Sequence, residues 1–239
     1  VTGNTCFKGS WLSLWLHILG AKVIGISKDV PTIPSHYKLN NKFYLKDEKF
    51  DLSNKKLITK IIKSSKPDYI FHLAAQPIVL ESYSDPYATY LSNTVGTLNI
   101  LESLKESNHK CTAILITSDK CYENINKKVN YKENDRLGGL DPYSSSKASA
   151  ELIIRSYYES YFKTKDSNVR ICSARAGNVM GGGDWAKYRI VPDCMKSWSQ
   201  GKKVIIRNAK STRPWQHVLE PISGYLTLAK SLSKDQNLN

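Results

Sequence analysis

Apolar runs along the chain alternate with segments whose apolar residues recur at helical spacing. Four of the runs are short, and we interpret them as buried strands of a sheet; they cover 23–26, 69–73, 113–116 and 169–173. Between them the spacing predicts helices over 9–19, 54–64, 85–106 and 142–163. This alternation predicts an α/β fold with a doubly wound parallel sheet, right-handed crossovers and helices on both faces.

The start of the chain carries two glycines at a spacing used by phosphate-binding turns. Val1 and Thr2 read as the end of a first strand, which leads through Gly3 and Gly9 into an apolar helix. Glycine lets the backbone approach a pyrophosphate closely, and a helix N-terminus offers N–H groups to the anion. Two glycines alone also fit an ordinary strand–helix turn. Cys6 replaces the usual middle glycine, and we expect its side chain to weaken dinucleotide binding without abolishing it.

The residues expected near an adenosine ribose depart from the usual pattern. An acid commonly ends the second strand of such a fold, where it binds the ribose diol. Here the strand ends at Ser27-Lys28-Asp29, so the acid is absent or displaced by two positions. Asp51 follows a third predicted strand and is a candidate contact of the adenine, or equally the N-cap of the next helix. This pattern leaves NAD and NADP both open.

After Ala176 the pattern becomes irregular, which indicates a change of domain. Glycines 181–183 interrupt the chain, and a helix near 190–200, a short strand over 204–206 and a last helix over 220–233 follow. We expect a Rossmann-like dinucleotide-binding domain over 1–176. Residues 177–239 are expected to form a smaller, incomplete substrate-binding region, of which some segments return to the first domain. The sequence is therefore expected to be part of a longer chain.

Composition narrows the class of protein. The chain has 239 residues, 41% of them apolar, and a formal charge of +14 from lysines and arginines scattered along its length. Scattered charge favours anionic small molecules over nucleic acid. Apolar runs are too short to span a bilayer, and no leader segment is visible. Five widely spaced cysteines indicate reduced thiols in the cytoplasm, and the sequence shows no metal-ligand motif.

A tyrosine and a lysine four residues apart are the most informative pair. On a helix, Tyr143 and Lys147 would share a face, and an ammonium near the phenol would lower the tyrosine pKa. Such a tyrosine can accept a hydroxyl proton during hydride transfer. Ser118, Asp119 and Lys120 follow a predicted strand at its carboxyl end, where open α/β sheets place their chemistry.

Six segments together carry a resemblance to a known family. They are FKGSWL at 7–12, HLAAQP at 72–77, TSDKCY at 117–122, DPYSSSK at 141–147, RAGNVMGGGDW at 175–185 and RPWQHV at 213–218. With them the chain resembles the extended short-chain dehydrogenase/reductase superfamily. Within it the chain is similar to the nucleotide-sugar 4,6-dehydratases that act on CDP-glucose, and Cys6 is the clearest departure.

The resemblance implies a cofactor, a homodimer and a set of roles. The cofactor would be NAD, and the homodimer would pair the helices predicted over 85–106 and 142–163, whose outer faces are otherwise simply solvated. Cofactor binding is assigned to Gly3, Cys6, Phe7, Gly9, Asp51, Leu52, Leu73, Ala74, Ala75, Gln76, Asn93, Tyr143 and Lys147. Substrate binding is assigned to Ser118, Asn178, Trp185, Arg189, Arg207 and Arg213.

The implied reaction is a loss of water with an internal redox cycle. Tyr143, aided by Lys147 and Ser118, would take the proton of the sugar 4-hydroxyl as hydride moves to the nicotinamide. Lys120 would remove the proton at carbon 5, Asp119 would protonate the departing 6-hydroxyl, and hydride would return to carbon 6. Alternatively, the Asp119–Lys120 pair merely stabilises the strand end.

Other interpretations remain open at this point. Arg189 and Arg207 fit surface ion pairs, Trp185 and Trp215 fit packing, and His217 fits a structural histidine. For the whole chain, the alternatives are a nucleotide-sugar epimerase or reductase of the same superfamily, or a catalytically impaired, truncated paralogue.

Overall fold

The protein was analysed as a computed structural model, which describes residues 1–107, 109–125, 130–164, 166–206 and 208–234. The strands are β1 (Ile24–Ser27), β2 (Lys46–Lys49), β3 (Tyr69–His72), β4 (Cys111–Ile116), β5 (Val169–Ala174), β6 (Asn178–Met180) and β7 (Trp215–His217). The helices are α1 (Phe7–Ile18), α2 (His36–Leu39), α3 (Lys55–Ser65), α4 (Val79–Ser84), α5 (Pro86–Tyr90), α6 (Gly96–Ser107), α7 (Pro142–Tyr157), α8 (Ile190–Ser199) and α9 (Leu219–Leu232). In this part of the chain no helix has the length and apolar character needed to cross a membrane.

The main sheet is parallel and is joined in the middle by a single residue. β1 pairs with β2, and β4 lies between β3 and β5, all in parallel register. Thr2 forms parallel bridges to Ile26 and to His72, so it links the two groups at the centre. The resulting order is β2, β1, Thr2, β3, β4, β5, which is the doubly wound arrangement that the alternating pattern predicts. β6 and β7 form a separate parallel pair.

Both faces of the sheet are buried, as a central parallel sheet requires. Along β4, Ala113 and Leu115 join a core built with α3, α6 and α7. Ile114 and Ile116 point the other way, into a core built with α1 and α9. The last helix therefore returns to cover the sheet, although it follows the irregular region.

The structure corrects the predicted element pattern at four places. The helix expected over 85–106 is α5 and α6 joined by a π-helical turn, Leu91–Val95, and α7 likewise ends in a π-helical turn, Tyr158–Phe162. The strand expected over 204–206 is irregular, and Ile205 and Ile206 are exposed. α2 and α4 were not predicted, whereas β2 is the third strand expected before Asp51. β2 reads Lys-Asp-Glu-Lys because it is an edge strand, and charged edges discourage pairing with other chains.

Candidate active site

A cleft of about 480 Å³ opens at the carboxyl edge of the sheet, beyond the ends of β3, β4 and β5. Leu73, Thr117 and Ala176, which follow these strands, lie in its wall. Four of the five predicted catalytic residues also line it, namely Ser118, Lys120, Tyr143 and Lys147. The fold thus gathers residues from two distant segments into one cavity.

Ser118 is held by a short turn directly after β4. It caps a 3-10 turn, Asp119–Cys121, by accepting a hydrogen bond from the backbone N–H of Lys120 at 3.2 Å. Its own hydroxyl donates to Oδ1 of Asp119 at 3.0 Å. This turn fixes the three neighbouring polar side chains relative to one another.

Asp119 and Lys120 form the ion pair that the strand-end interpretation requires. Nζ of Lys120 lies 3.4 Å from Oδ1 of Asp119 and donates to Oδ1 of Asn178 at 3.3 Å. Lys120 and Asn178 face the cleft, whereas Asp119 is not among the described residues that line it. The carboxylate of Asp119 therefore contacts two residues that line the cavity, Ser118 and Lys120. The roles of both residues stay predictions.

Tyr143 and Lys147 lie on one face of α7 and are both buried. The helix begins at Pro142 because Asp141 caps it, accepting from the N–H of Ser144 at 2.9 Å. Contrary to the sequence-based expectation, the pKa of Tyr143 is raised, because burial penalises the phenolate more than its hydrogen bond with Ser118 stabilises it. Burial acts on Lys147 too and lowers its pKa to about 8, against the charge of Glu151.

Lys8 is a cleft residue that the sequence analysis did not single out. It lies in the first turn of α1 and lines the cavity, with Nζ 3.5 Å from the hydroxyl of Tyr225. Burial, reinforced by the charges of Lys147 and Arg189, lowers its pKa to about 7. In the sequence, Lys8 lies between Gly3 and Gly9, and this position alone does not show that its side chain faces the cleft.

The two glycines of the first turn are packed closely, as a phosphate-binding turn requires. A Cβ on Gly9 would lie 2.0 Å from the carbonyl oxygen of Gly3, and Gly3 has a φ of 72°. Cys6 caps α1 through its backbone alone and is half-buried, and burial raises its thiol pKa to about 11, with Asp29 contributing. Asp29 lies beside the turn, where its backbone oxygen accepts from the hydroxyl of Thr5, and its role as the displaced acid stays a prediction. Phe7 packs into the core shared with α9.

The other predicted cofactor residues are divided between the cleft and the framework. Leu73 and Ala75 line the cleft, while Ala74 and Leu52 pack at the core. Gln76 and Asn93 belong to the framework and connect the segment after β3 to the turn Leu91–Val95, because the backbone N–H of Gln76 donates to Oδ1 of Asn93 at 2.8 Å.

Asp51 does not cap α3, so that alternative was wrong. Asn54 provides the N-cap by accepting from the N–H of Leu57. Asp51 instead pairs with Lys28 at 3.2 Å and accepts from the N–H of Ser53.

The predicted substrate residues are only partly brought together. Asn178, Arg189 and Arg213 line the cleft, as does Trp215. Arg189 also pairs with Asp184 at 3.2 Å, as its ion-pair interpretation expects, and its substrate role stays a prediction. Among the described residues of the cleft wall, Trp185 and His217 do not appear; Nδ1 of His217 accepts from the N–H of Leu219. Arg207 lies outside the described residues. Within the described ranges no cluster of three or more potential metal ligands occurs.

The fold and the cleft define a Rossmann-type protein of the extended short-chain dehydrogenase/reductase class, with Ser118, Tyr143 and Lys147 at the expected sheet edge. More narrowly, the chain belongs to the GDP-mannose 4,6 dehydratase family, whose profile matches residues 1–238.

Two curated relatives are 4,6-dehydratases that act on nucleotide sugars. The chain is 46% identical over 236 residues to CDP-glucose 4,6-dehydratase of Salmonella typhimurium, covering 97% of this chain and 66% of that protein. It is 27% identical to dTDP-D-glucose 4,6-dehydratase of Dictyostelium discoideum, covering 94% of this chain and 54% of that protein. The chain thus spans about two thirds or less of the length of these relatives.

Solved structures show the same fold at lower identity. UDP-glucose 4-epimerase of Thermotoga maritima superposes with a TM-score of 0.83 at 23% identity, covering 95% of this chain and 71% of that one. dTDP-glucose 4,6-dehydratase of Bacillus anthracis, in complex with NAD, superposes with a TM-score of 0.78 at 24% identity, covering 95% and 70%.

Proposed function

We propose that this chain carries the catalytic cleft of a nucleotide-sugar 4,6-dehydratase, which uses NAD to convert CDP-glucose into CDP-4-dehydro-6-deoxyglucose and water. The observation that carries the proposal is the convergence of Ser118, Lys120, Tyr143 and Lys147 on one cavity. The similarity to a curated CDP-glucose 4,6-dehydratase supports the choice of reaction and of nucleotide. An epimerase would not need the Asp119–Lys120 pair, since inversion at carbon 4 expels no water.

The first turn of α1 fits a dinucleotide pyrophosphate. Gly3 and Gly9 bring the backbone close to the helix start, and the first turn of a helix leaves N–H groups without partners inside the helix. Leu73 and Ala75 would hold the cofactor along the cleft wall. When bound, NAD supplies a hydride acceptor that is restored by the end of each turnover. Cys6 is the one side chain in the turn that works against binding.

Tyr143 accepts the proton of the sugar 4-hydroxyl, and Ser118 orients that hydroxyl. Only the phenolate of Tyr143 can accept this proton, and burial disfavours that form by raising the pKa of the phenol. The buried ammonium of Lys147, one turn along α7, would stabilise the phenolate before it takes the proton. A hydrogen bond with Ser118 lowers the pKa of Tyr143 and so acts in the same direction.

Lys120 and Asp119 remove water without a net proton change. Lys120 accepts the proton from carbon 5, which a neighbouring 4-keto group makes acidic, and Asp119 donates a proton to the departing 6-hydroxyl. The pair then consists of an ammonium and a carboxylate, whose groups lie 3.4 Å apart. Lys120 returns its proton to carbon 5 when carbon 6 is reduced. The proton that Tyr143 took from the 4-hydroxyl then passes to Asp119, so that all three groups are restored for the next substrate.

The remaining cleft residues would bind the nucleotide sugar. Arg213 and Arg189 carry guanidinium groups that suit a pyrophosphate, and the amide of Asn178 lies beside Lys120. We further propose that the chain acts as a homodimer in the cytoplasm. None of its five cysteines, all of them in described segments, forms a disulfide, which suits a reducing compartment.

The proposal is tested by incubating the protein and NAD separately with CDP-, UDP-, GDP- and dTDP-glucose, followed by mass spectrometry. We expect a product lighter by one water from CDP-glucose in preference to the others. An unchanged mass with an inverted 4-hydroxyl would instead identify an epimerase. Binding of CDP-glucose without turnover would identify an impaired paralogue.

The same assay with Lys120→Met tests the role of the lysine. We expect water loss to fall by about 100-fold or more, because a base for carbon 5 is removed. Some product of oxidation at carbon 4 alone, lighter than CDP-glucose by two hydrogens, should remain. Lys22→Met, a change at an exposed lysine away from the cleft, serves as the control. Undiminished dehydration by Lys120→Met would remove Lys120 from the mechanism.

A further inference from the structure

Helix α7 carries a third buried polar side chain in line with Tyr143 and Lys147. Glu151 lies one turn beyond Lys147, and only 4% of it is exposed. Helical spacing places residues at four-residue intervals on one face. The mechanism above assigns no task to this carboxylate, although burying a charge is costly unless it is paired.

Both oxygens of Glu151 are engaged by groups from other elements. One accepts a hydrogen bond from the hydroxyl of Thr117. The other accepts from Nη2 of Arg175 at 2.8 Å and from the hydroxyl of Ser173 at 3.0 Å. Thr117 directly precedes Ser118, while Ser173 and Arg175 belong to β5 and the residues after it. The carboxylate therefore joins α7 to the ends of two strands that line the cleft.

Arg175 extends this network to the segment beyond Lys120. Its Nη1 donates to the hydroxyl of Tyr122 and to the backbone oxygen of Glu133, both at 2.9 Å. The guanidinium also lies 4.8 Å from the ring centre of Tyr122. The turn that carries Lys120 is thereby held from both sides, by Thr117 before it and by Tyr122 after it.

Glu151 is also the charge that opposes burial at Lys147. Burial lowers the pKa of Lys147 to about 8, and Glu151 works in the opposite direction. Several other titratable groups lie close enough to Lys147 or Glu151 to interact with them electrostatically. Those coupled to Lys147 are Cys121 after β4, Lys8 on α1 and His72 on β3. Those coupled to Glu151 are Cys172 on β5 and Arg175 after it. Of the groups coupled to Lys147, Cys121 adds to the effect of Glu151 only when its thiol is ionised.

We propose that Glu151 is a positioning residue of this cleft, which keeps Lys147 charged beside Tyr143 and ties the strand end that carries Ser118 to α7. The effect of Glu151 on turnover rests on the proposed function. The effect of Glu151 on the charge of Lys147 is independent of that function, because it can be measured in the protein without substrate or cofactor.

The direct test is the titration of Lys147 by NMR in protein labelled with ¹³C-lysine, with the resonance assigned from Lys147→Arg. In Glu151→Gln we expect the Lys147 midpoint to fall by about one pH unit, because an opposing charge has been removed. Glu151→Asp retains the charge and should return the midpoint toward that of the wild type. An unchanged midpoint in folded Glu151→Gln would overturn the proposal.

The pH dependence of turnover provides a second readout. If a charged Lys147 is required, the alkaline limb of kcat should move to lower pH in Glu151→Gln and recover in Glu151→Asp. A uniform loss of kcat at every pH would indicate a merely structural carboxylate. Wild-type protein without any turnover would contradict the proposed function, while the NMR result would still decide the role of Glu151.

Loss of the carboxylate leaves Arg175 without its buried partner, so folding has to be checked by thermal unfolding. The double variant Glu151→Gln/Arg175→Gln removes both charges and carries the test if the single variant does not fold. We expect its Lys147 midpoint to lie below that of the wild type as well. A midpoint equal to or above the wild-type value in this variant would count against the proposal.

Discussion

At the scale of single residues, Cys6 shows how one side chain changes a binding turn without changing the fold. The turn keeps Gly3 and Gly9, whose contact leaves no room for a Cβ. Cys6 lies between them in an extended conformation that does not need glycine, with φ −76° and ψ 164°. The backbone therefore forms the turn regardless, and we expect the thiol to occupy space that a pyrophosphate would approach.

We predict that Cys6→Gly binds NAD more tightly than the wild type, by about tenfold, the effect of removing a contact penalty near 1.4 kcal/mol. Cys6→Ala, which keeps the Cβ and removes only the sulfur, should show an intermediate affinity. Isothermal titration calorimetry measures the affinity of all three proteins for NAD. Equal affinities in all three would mean that the thiol is not in the path of the cofactor.

At the scale of elements, the helix predicted over 85–106 is interrupted where it carries a buried polar residue. The π-helical turn Leu91–Val95 contains Asn93, which is buried and donates to Ser146 of α7 at 2.9 Å. π-helical turns often accompany functional sites, because they redirect one side chain within a helix. A continuous helix over the same residues fits the apolar spacing equally well, so the interruption was not visible in the sequence.

The outer faces of α5 and α7 carry large exposed side chains, including Tyr87 at 76% and Leu152 at 57% exposure. The two helices pack against each other. Large exposed apolar groups are typical of a protein–protein interface. This is the surface through which we expect the homodimer to form.

We predict that Tyr87→Glu and Leu152→Glu each shift the protein from dimer to monomer in light-scattering measurements, because a charge in an apolar interface loses its hydration. Ile18→Glu provides the matched control, since Ile18 is equally exposed but lies at the end of α1. A wild type that is monomeric at micromolar concentration, or a loss of the dimer in the control alone, would contradict this assignment.

At the scale of the whole molecule, a buried histidine connects the centre of the sheet to a helix. Nδ1 of His72 lies 2.8 Å from the hydroxyl of Thr2, and Nε2 lies 3.1 Å from the hydroxyl of Thr97. Thr97 donates its proton to the carbonyl of Asn93, so its oxygen is left to accept from Nε2. Burial lowers the pKa of His72 to about 3, and the charge of Lys147 adds to the effect.

This histidine should make the free energy of unfolding depend on pH. Below its ordinary pKa of 6.5 the unfolded chain binds a proton that the folded chain does not, so stability falls as pH drops from 6.5 toward 3. We predict a loss of about 2 kcal/mol between pH 7 and pH 5 from this group. His72→Gln should show a smaller loss in urea unfolding, while His17→Gln, at an exposed position, should match the wild type. Equal pH slopes in all three proteins would refute the assignment.

The sequence by itself determined the order and type of most elements and four residues of the candidate cleft. β3 and β4 are short apolar runs with residues buried on both faces, which is the pattern that a central parallel strand must have. Ser118, Lys120, Tyr143 and Lys147 could be assigned to one cleft because strand ends meet at one sheet edge and a four-residue spacing meets on one helix face.

Only the tertiary structure decided what surrounds each of these groups. Burial raises the pKa of Tyr143. The fold also places the side chain of Lys8 in the cleft wall and gives Glu151 hydrogen-bond partners next to β4 and β5. The irregular course of 204–206 is likewise visible only in the tertiary structure. The physical reason is that periodicity reports which face of an element is buried, whereas charge state and hydrogen bonding depend on neighbours that are distant in the sequence.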